Sequence, residues 1–172
     1  MDREELFSRL LAFDRDAFLT YGSSKIKYEC YIVGGGAMLI MGLIPRATHD
    51  IDVLRCTAYE LVSLMPKYDM NMNVTAHIGC FADDYSSRAE KIDLDTKLID
   101  FYTLSLEDLV VSKLASGREQ DFEDIYQPAV VQKIDWDKLD ELIDLAIEGI
   151  TGDYDARELR GFYNDYKKEF KK

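Results

Sequence analysis

The sequence predicts an α/β (α+β) chain: a small mixed β-sheet flanked by helices, with a C-terminal helical portion. Three observations carry that expectation. Tyr31-Ile32-Val33 is an apolar, strand-like run that stops at three consecutive glycines, Gly34, Gly35 and Gly36, ahead of a short apolar segment suited to a helix. Asp50-Ile51-Asp52-Val53-Leu54 alternates charged and apolar residues with the period of a half-buried strand. Both ends of the chain carry apolar residues at helical spacing.

Residues 3–20 read as an amphipathic helix. Leu6, Leu10, Phe13 and Ala17 form its stripe, Leu11 and Phe18 widen it, and Gly22-Ser23-Ser24 breaks it. Residues 27–33 give the first strand and 35–43 the first motif helix. In the strand 50–54, side chains alternate faces, so Asp50 and Asp52 point one way while Ile51 and Val53 enter a core. Residues 57–68 suit a helix with Leu61, Leu64 and Met65 inward. Residues 70–81 read as a strand, with Met70, Met72, Val74 and Ala76 on one face and Asn71, Asn73, Thr75 and His77 on the other. A short helix over 85–92 and a strand over 98–104 follow.

Ser105 then opens a helix, with Glu107 and Asp108 in its first turn. Leu106, Leu109, Val110, Lys113 and Leu114 share one face, so Lys113 lies on the apolar side. A buried ammonium is costly without an anionic partner. Lys113 therefore snorkels to the edge, pairs with a nearby acid, or serves a site. Beyond Gly117, residues 118–126 give a helix with Phe122 and Ile125 inward and Arg118, Asp121 and Asp124 on a neighbouring face. Pro128 marks a break. Two helical segments close the chain: 135–150, with Leu139, Ile143, Leu145 and Ala146 as its stripe, and 154–172, with Tyr154, Leu159, Phe162, Tyr163, Tyr166 and Phe170. The expected division is a domain over residues 1–127 and a helical extension over 128–172 packed on it.

With 172 residues the chain can bury a sizeable core. Its 33 acidic residues outweigh 21 basic ones, leaving a net charge of −12. That disfavours nonspecific binding to nucleic acid or to an anionic membrane, both of which draw on Lys and Arg. Cys30, Cys56 and Cys80 are widely spaced and form no C-x-x-C pair, so neither a zinc site nor a disulfide framework is expected. The charged N-terminus lacks an apolar signal core, and no run is long enough to span a bilayer. A cytoplasmic protein without membrane partners is expected.

The chemistry centres on Asp50 and Asp52. Two carboxylates on one strand face repel unless a cation, a proton or a basic group lies between them. Mg2+, or Mn2+ in its place, takes oxygen ligands and is often held by one or two carboxylates plus substrate phosphates. Glycines at a strand-to-helix turn let backbone N–H groups approach a phosphate. Dinucleotide and P-loop signatures are both excluded: Leu39 stands where G-x-G-x-x-G needs its third glycine, and no G-K-S/T follows. His49 beside Asp50 suggests HD-type phosphohydrolysis, but the only other histidine, His77, lies downstream where an upstream one is required.

A G-G pair followed by D-x-D resembles the signature of the DNA polymerase beta-type nucleotidyltransferase superfamily. The fuller run, Gly34-Gly35-Gly36-Ala37 and Pro45-Arg46-Ala47-Thr48-His49-Asp50-Ile51-Asp52, is similar to the branch of AbiEii-type toxin nucleotidyltransferases and their small relatives. Leu106-Glu107-Asp108-Leu109, Lys113-Leu114-Ala115, Arg118, Asp121, Asp124 and Ile125 resemble that branch's second block. The likeness spans roughly residues 28–126. It implies a sheet of the nucleotidyltransferase type and transfer of an NMP from an NTP to a protein, RNA or small-molecule acceptor. Asp50 and Asp52 would hold Mg2+ or Mn2+. Gly34, Gly35, Gly36, Arg46, Thr48, Lys113 and Arg118 would surround the nucleotide, and Lys113 and Asp121 would join the acidic pair in catalysis. A toxin role with a cognate antitoxin follows by the same likeness. The superfamily's third carboxylate has no counterpart on strand 70–81. Asn71 or Asn73 would stand there, with Asn73 preferred as a metal ligand, unless Asp83, Asp84, Asp93 or Asp95 folds back. The alternative function is a catalytically degenerate member that binds nucleotide or a protein partner.

Overall fold

A computed structural model describes residues 1–74, 79–150 and 152–171. The expectations for Thr75, Ala76 and His77, for Lys172 and for the Tyr154 side chain lie outside the described residues. The chain divides into two compact units: Met1–Thr75 with Ala89–Leu104, and Ala76–Arg88 with Ser105–Lys172. A mixed sheet flanked by helices and a helical C-terminal part make the fold α/β, as the sequence predicts.

The first unit begins with helix α1 (Arg3–Tyr21), whose N-terminus Asp2 caps by accepting from Glu5 N–H at 2.9 Å. Its inward stripe is Leu6, Leu10, Phe13 and Ala17, each fully buried. Asp14 is buried beside them. Its carboxylate accepts backbone N–H bonds from Lys97, Leu98 and Ile99 at 2.8, 2.9 and 2.8 Å, fixing where the strand after them begins. Strand β1 (Tyr28–Val33) runs directly into helix α2 (Gly34–Ile40), and β2 (Ile51–Cys56) returns antiparallel to β1. Strands β3 (Met70–Asn71), β4 (Glu90–Lys91) and β5 (Ile99–Thr103) complete a sheet ordered β3-β2-β1-β5-β4. β1 pairs β5 in parallel and β2 pairs β3 in parallel, whereas β4 and β5 are antiparallel. Ile32, Ile51, Val53 and Phe101 give the sheet its buried side.

Three elements of this stretch differ from expectation. Tyr59–Tyr68 winds as a 3-10 helix, with Leu61, Met65 and Tyr68 inward and Leu64 only partly covered. It ends at Asp69 in the left-handed region, φ 52°, a conformation that short polar side chains tolerate. The strand expected over 70–81 ends as strand at Asn71, so its alternation does not continue through Asn73. The helix expected over 85–92 stops at Arg88, and Glu90–Lys91 is strand.

The second unit holds α3 (Tyr85–Arg88), α4 (Leu106–Ser116), α5 (Glu119–Ile125), α6 (Pro128–Val131), α7 (Trp136–Gly149) and α8 (Asp153–Phe170). Ser105 caps α4 as its sequence predicts, accepting from Asp108 N–H at 3.2 Å and donating to the Asp108 carboxylate at 2.6 Å. Arg88 grips the same carboxylate with two N–H groups, at 3.1 and 2.9 Å. Glu107, also buried, accepts from Asp135 N–H and pairs with Lys138 at 2.8 Å. Pro128 starts α6 at a first-turn position, where a missing N–H costs nothing. On α7 the inward residues are Leu139, Leu142, Ile143 and Ala146, and Leu145 is exposed instead. On α8, Leu159, Tyr163 and Tyr166 are buried, and Tyr166 donates to Ile125 O at 2.7 Å. Among the described residues no helix is long and apolar enough to cross a membrane.

Candidate functional site

The first unit brings the glycine turn and the acidic pair together because β1 and β2 are neighbours. Val33 stands opposite Asp52, so the residue after Val33 lies against the Asp52 side chain. That residue is Gly34, with φ +64°, and a Cβ there would meet Asp52 Oδ2 at 2.7 Å. Both conformation and space demand glycine at this position. A Cβ on Gly35 would meet Arg46 Nη2 at 3.1 Å, so the guanidinium lies over the first turn of α2. What approaches these two glycines is thus the protein's own charged side chains, one of each sign. Gly36 is buried, facing Leu6 and Ile32.

Thr48 is buried and holds the loop between α2 and β2. Its N–H donates to Met1 O at 3.0 Å, its hydroxyl donates to Asp50 O at 3.1 Å, and the chain's terminal amine donates to Thr48 O. Arg3 Nε donates to Ile40 O at 3.0 Å, satisfying a carbonyl in the last turn of α2. The start of α1 therefore anchors both ends of the loop that delivers Arg46. His49 is exposed.

Asp50 and Asp52 converge on one atom. Asn71 Nδ2 donates to Asp50 Oδ2 at 2.9 Å and to Asp52 Oδ1 at 3.3 Å. β3 runs parallel to β2 with Asn71 in register with Asp52, which is what puts its amide between the carboxylates. The Asn73 backbone N–H donates to Asn71 Oδ1 at 2.9 Å and so fixes the sense of that amide. Between the two asparagines, Asn71 is the one that meets the acidic pair. Asn73, the residue preferred for the place of the third carboxylate that the resemblance implies, contributes its backbone and leaves its side chain exposed, because the strand has ended two residues earlier. Asp93 and Asp95 are exposed.

The donor set suits a hard divalent cation. An electropositive group already sits within hydrogen-bond distance of both carboxylates, so a point between them is geometrically shared. Mg2+ needs only one or two carboxylates when phosphate oxygens supply further ligands. Among the described residues no group of three or more His, Cys, Asp or Glu side chains could hold a metal, and Asn71 turns its amide nitrogen, not its oxygen, toward the two carboxylates.

The second unit contains the other residues singled out in the sequence. Lys113 is buried on α4, and its ammonium pairs with Asp121 Oδ1 at 2.5 Å and Asp124 Oδ2 at 2.7 Å. Of the roles open to a lysine on an apolar face, pairing with nearby acids is the one seen. Asp121 also accepts from Ser116 and, at 2.7 Å, from Arg118 Nε. Burial alone would raise the Asp121 carboxyl, but the Lys113 hydrogen bond and charge, with Ser116 and Arg118, hold it below the usual carboxylate range. A carboxylate so stabilised is a weak base at neutral pH. Asp84, a candidate third acid, pairs with Arg88 at 2.5 Å, and Asp83 is exposed. Nothing in the sequence foretold the Arg88–Asp108 pair or the three-bond role of Asp14, since each joins residues far apart in the chain.

Residues 8–171 match a family model described as "Nucleotidyltransferase of unknown function (DUF6036)". No curated protein matches the chain, and no solved structure does.

Proposed function

The chain belongs to the nucleotidyltransferase family of unknown function DUF6036, and from that premise we propose that it transfers a nucleoside monophosphate from an NTP, with Mg2+ or Mn2+ held by Asp50 and Asp52. The observation that carries this reading is the convergence of both carboxylates on Asn71 Nδ2 beside the Gly34 turn. When bound, the cation would neutralise phosphate charge and stabilise the displacement. The residues of the chain do the rest. Asp50 and Asp52 would hold the cation, and the bonds they accept from Asn71 Nδ2 align the two carboxylates on one face in the cation-free chain. Arg46, lying over Gly35, offers a fixed positive charge with fork geometry to phosphate oxygens. The first turn of α2, which has no side-chain cap, presents backbone N–H groups toward the same anion. An acceptor hydroxyl oxygen attacks the α-phosphorus and gives up its proton to solvent, and pyrophosphate leaves with the bonding electron pair. Thr48 acts by holding the loop.

Likeness of the Pro45–Asp52 run to AbiEii-type nucleotidyltransferases supports a place near that branch, with a toxin role and a cognate antitoxin. Growth arrest on expression, lost in Asp52→Asn, is the outcome that reading expects. A wild type that is harmless alone counts against it.

One observation favours a second reading, nucleotide binding without transfer: an amide stands where the superfamily pattern puts a third carboxylate. Thermal-shift titration with each NTP, with and without Mg2+, separates the readings when followed by incubation with labelled NTP and cell extract. Joint stabilisation by NTP and Mg2+ that is lost in Asp50→Asn, together with label on an acceptor, supports transfer. The same stabilisation without label supports binding alone, and no stabilisation refutes both.

A further inference from the structure

Cys30 and Cys56 stand directly opposite each other on β1 and β2. The adjoining pair, Glu29 and Thr57, carries the ladder bond from Thr57 N–H to Glu29 O at 2.9 Å. The cysteines therefore occupy a position between ladder bonds, where opposed side chains come closest. Opposed residues of an antiparallel pair have Cα atoms about 4.5–5.5 Å apart, inside the roughly 4.4–6.8 Å that a disulfide spans. The two residues are not equally placed. Cys30 is fully buried, whereas Cys56 is partly exposed at the end of β2, beyond Ile51 and Asp52 where β3 pairs.

We propose that Cys30 and Cys56 form a cross-strand dithiol–disulfide couple, with Cys56 as the thiol that meets the oxidant and Cys30 as the one that resolves it. The oxidant is a low-molecular-weight disulfide, RSSR. The Cys56 thiolate attacks one of its sulfurs, forming a Cys56–SR mixed disulfide and releasing RS−. Cys30 gives up its proton to a released thiolate and attacks Cys56 Sγ, expelling the second RS−. Two thiols are oxidised by two electrons, and RSSR is reduced to two RSH, which take up both protons.

The pair is chemically graded for this sequence. A hydrogen bond to Cys56 and then burial hold the Cys30 thiol well above its ordinary value. The same hydrogen bond, offset by burial and aided by a backbone hydrogen bond at Ala58, brings Cys56 down to about 7. Near neutral pH the outer cysteine is thus a partly formed nucleophile, and the inner one stays protonated until its partner has been modified. Cys80, buried in the other unit, is pushed up to about 12 by burial, so it serves as an internal control. The couple joins the strand that ends at Gly34 to the strand that carries Asp52, but it does not depend on the nucleotidyl-transfer reading.

The test equilibrates the full chain in buffers of graded reduced-to-oxidised glutathione ratio, traps thiols by alkylation, and reads intact mass and linked peptides. The expected product is lighter by two hydrogens, links the Cys30 and Cys56 peptides, and leaves Cys80 alkylated at every ratio. Cys30→Ser is expected to stop at a glutathione adduct on Cys56, and Cys56→Ser to take up none. Should either variant fail to fold, the wild-type linkage map decides alone. A wild type that accumulates the Cys56 adduct without losing it, links through Cys80, or stays fully reduced in folded form overturns the proposal.

Discussion

Asn71 donates one nitrogen to two carboxylates, and that sharing decides what each substitution around it does. Asn71→Asp removes the donor and adds a third negative charge, so the cation-free protein is expected to lose about 1–3 kcal/mol. Mg2+ or Mn2+ should restore that loss, with a larger stabilisation than in the wild type. Urea unfolding of both proteins with and without cation measures the difference, and a variant indifferent to cation counts against a metal position there. At Gly34 a methyl group would lie 2.7 Å from Asp52 Oδ2 on a backbone at φ +64°. Gly34→Ala is expected to cost about 1–3 kcal/mol and to displace Asp52, weakening NTP–Mg2+ binding as well. Calorimetric titration beside urea unfolding checks both, and unchanged binding would detach Gly34 from the site.

The elements divide by how local their causes are. Helix α1, the Ser105 cap and the glycine-to-α2 turn were legible because periodicity, capping and glycine chemistry act within a few residues. β3 was not: its pairing with β2 covers only Ile51 and Asp52, and no local signal says that Met72 and Asn73 leave the strand. The acidic pair could be read from alternation, but the choice of Asn71 over Asn73 depended on inter-strand register. Lys113 could be recognised as anomalous on its apolar face, but not as paired with Asp121 and Asp124 across the α4–α5 turn. With Lys113→Met two buried carboxylates lose their shared cation, and the expected loss is about 3–5 kcal/mol. Adding Asp121→Asn and Asp124→Asn should recover part of it. Thermal and urea unfolding of the single and triple variants test this, and a single variant as stable as the wild type would show that the cluster does not hold its unit together.

At the scale of the whole molecule the titrating pairs set a pH window. Opposing burial, ion pairs and hydrogen bonds keep the carboxyls of Asp100, Asp121 and Asp140 below their ordinary range, and Lys67 with Tyr68 does so for Asp16. Each is depressed on folding, so its contribution is complete above the unfolded carboxyl value, about 4, and is lost as pH falls through the lower folded values. Bonds to Asp16 and Asp100 raise Lys67 and Lys91, whose contributions hold below the unfolded lysine value and fade as pH climbs past the higher folded ones. Urea midpoints are expected to fall in acid and in strong alkali, and a maximum in mild acid would contradict this assignment. The central claim, that the described acidic pair and glycine turn form a cation-dependent nucleotide site, is tested most directly by Mn2+ titration with a non-hydrolysable NTP, followed by calorimetry or electron paramagnetic resonance. The account expects one NTP-dependent Mn2+ site per chain in the wild type and none in Asp50→Asn/Asp52→Asn, with the variant still folded. Equal Mn2+ and nucleotide binding by both proteins would contradict it.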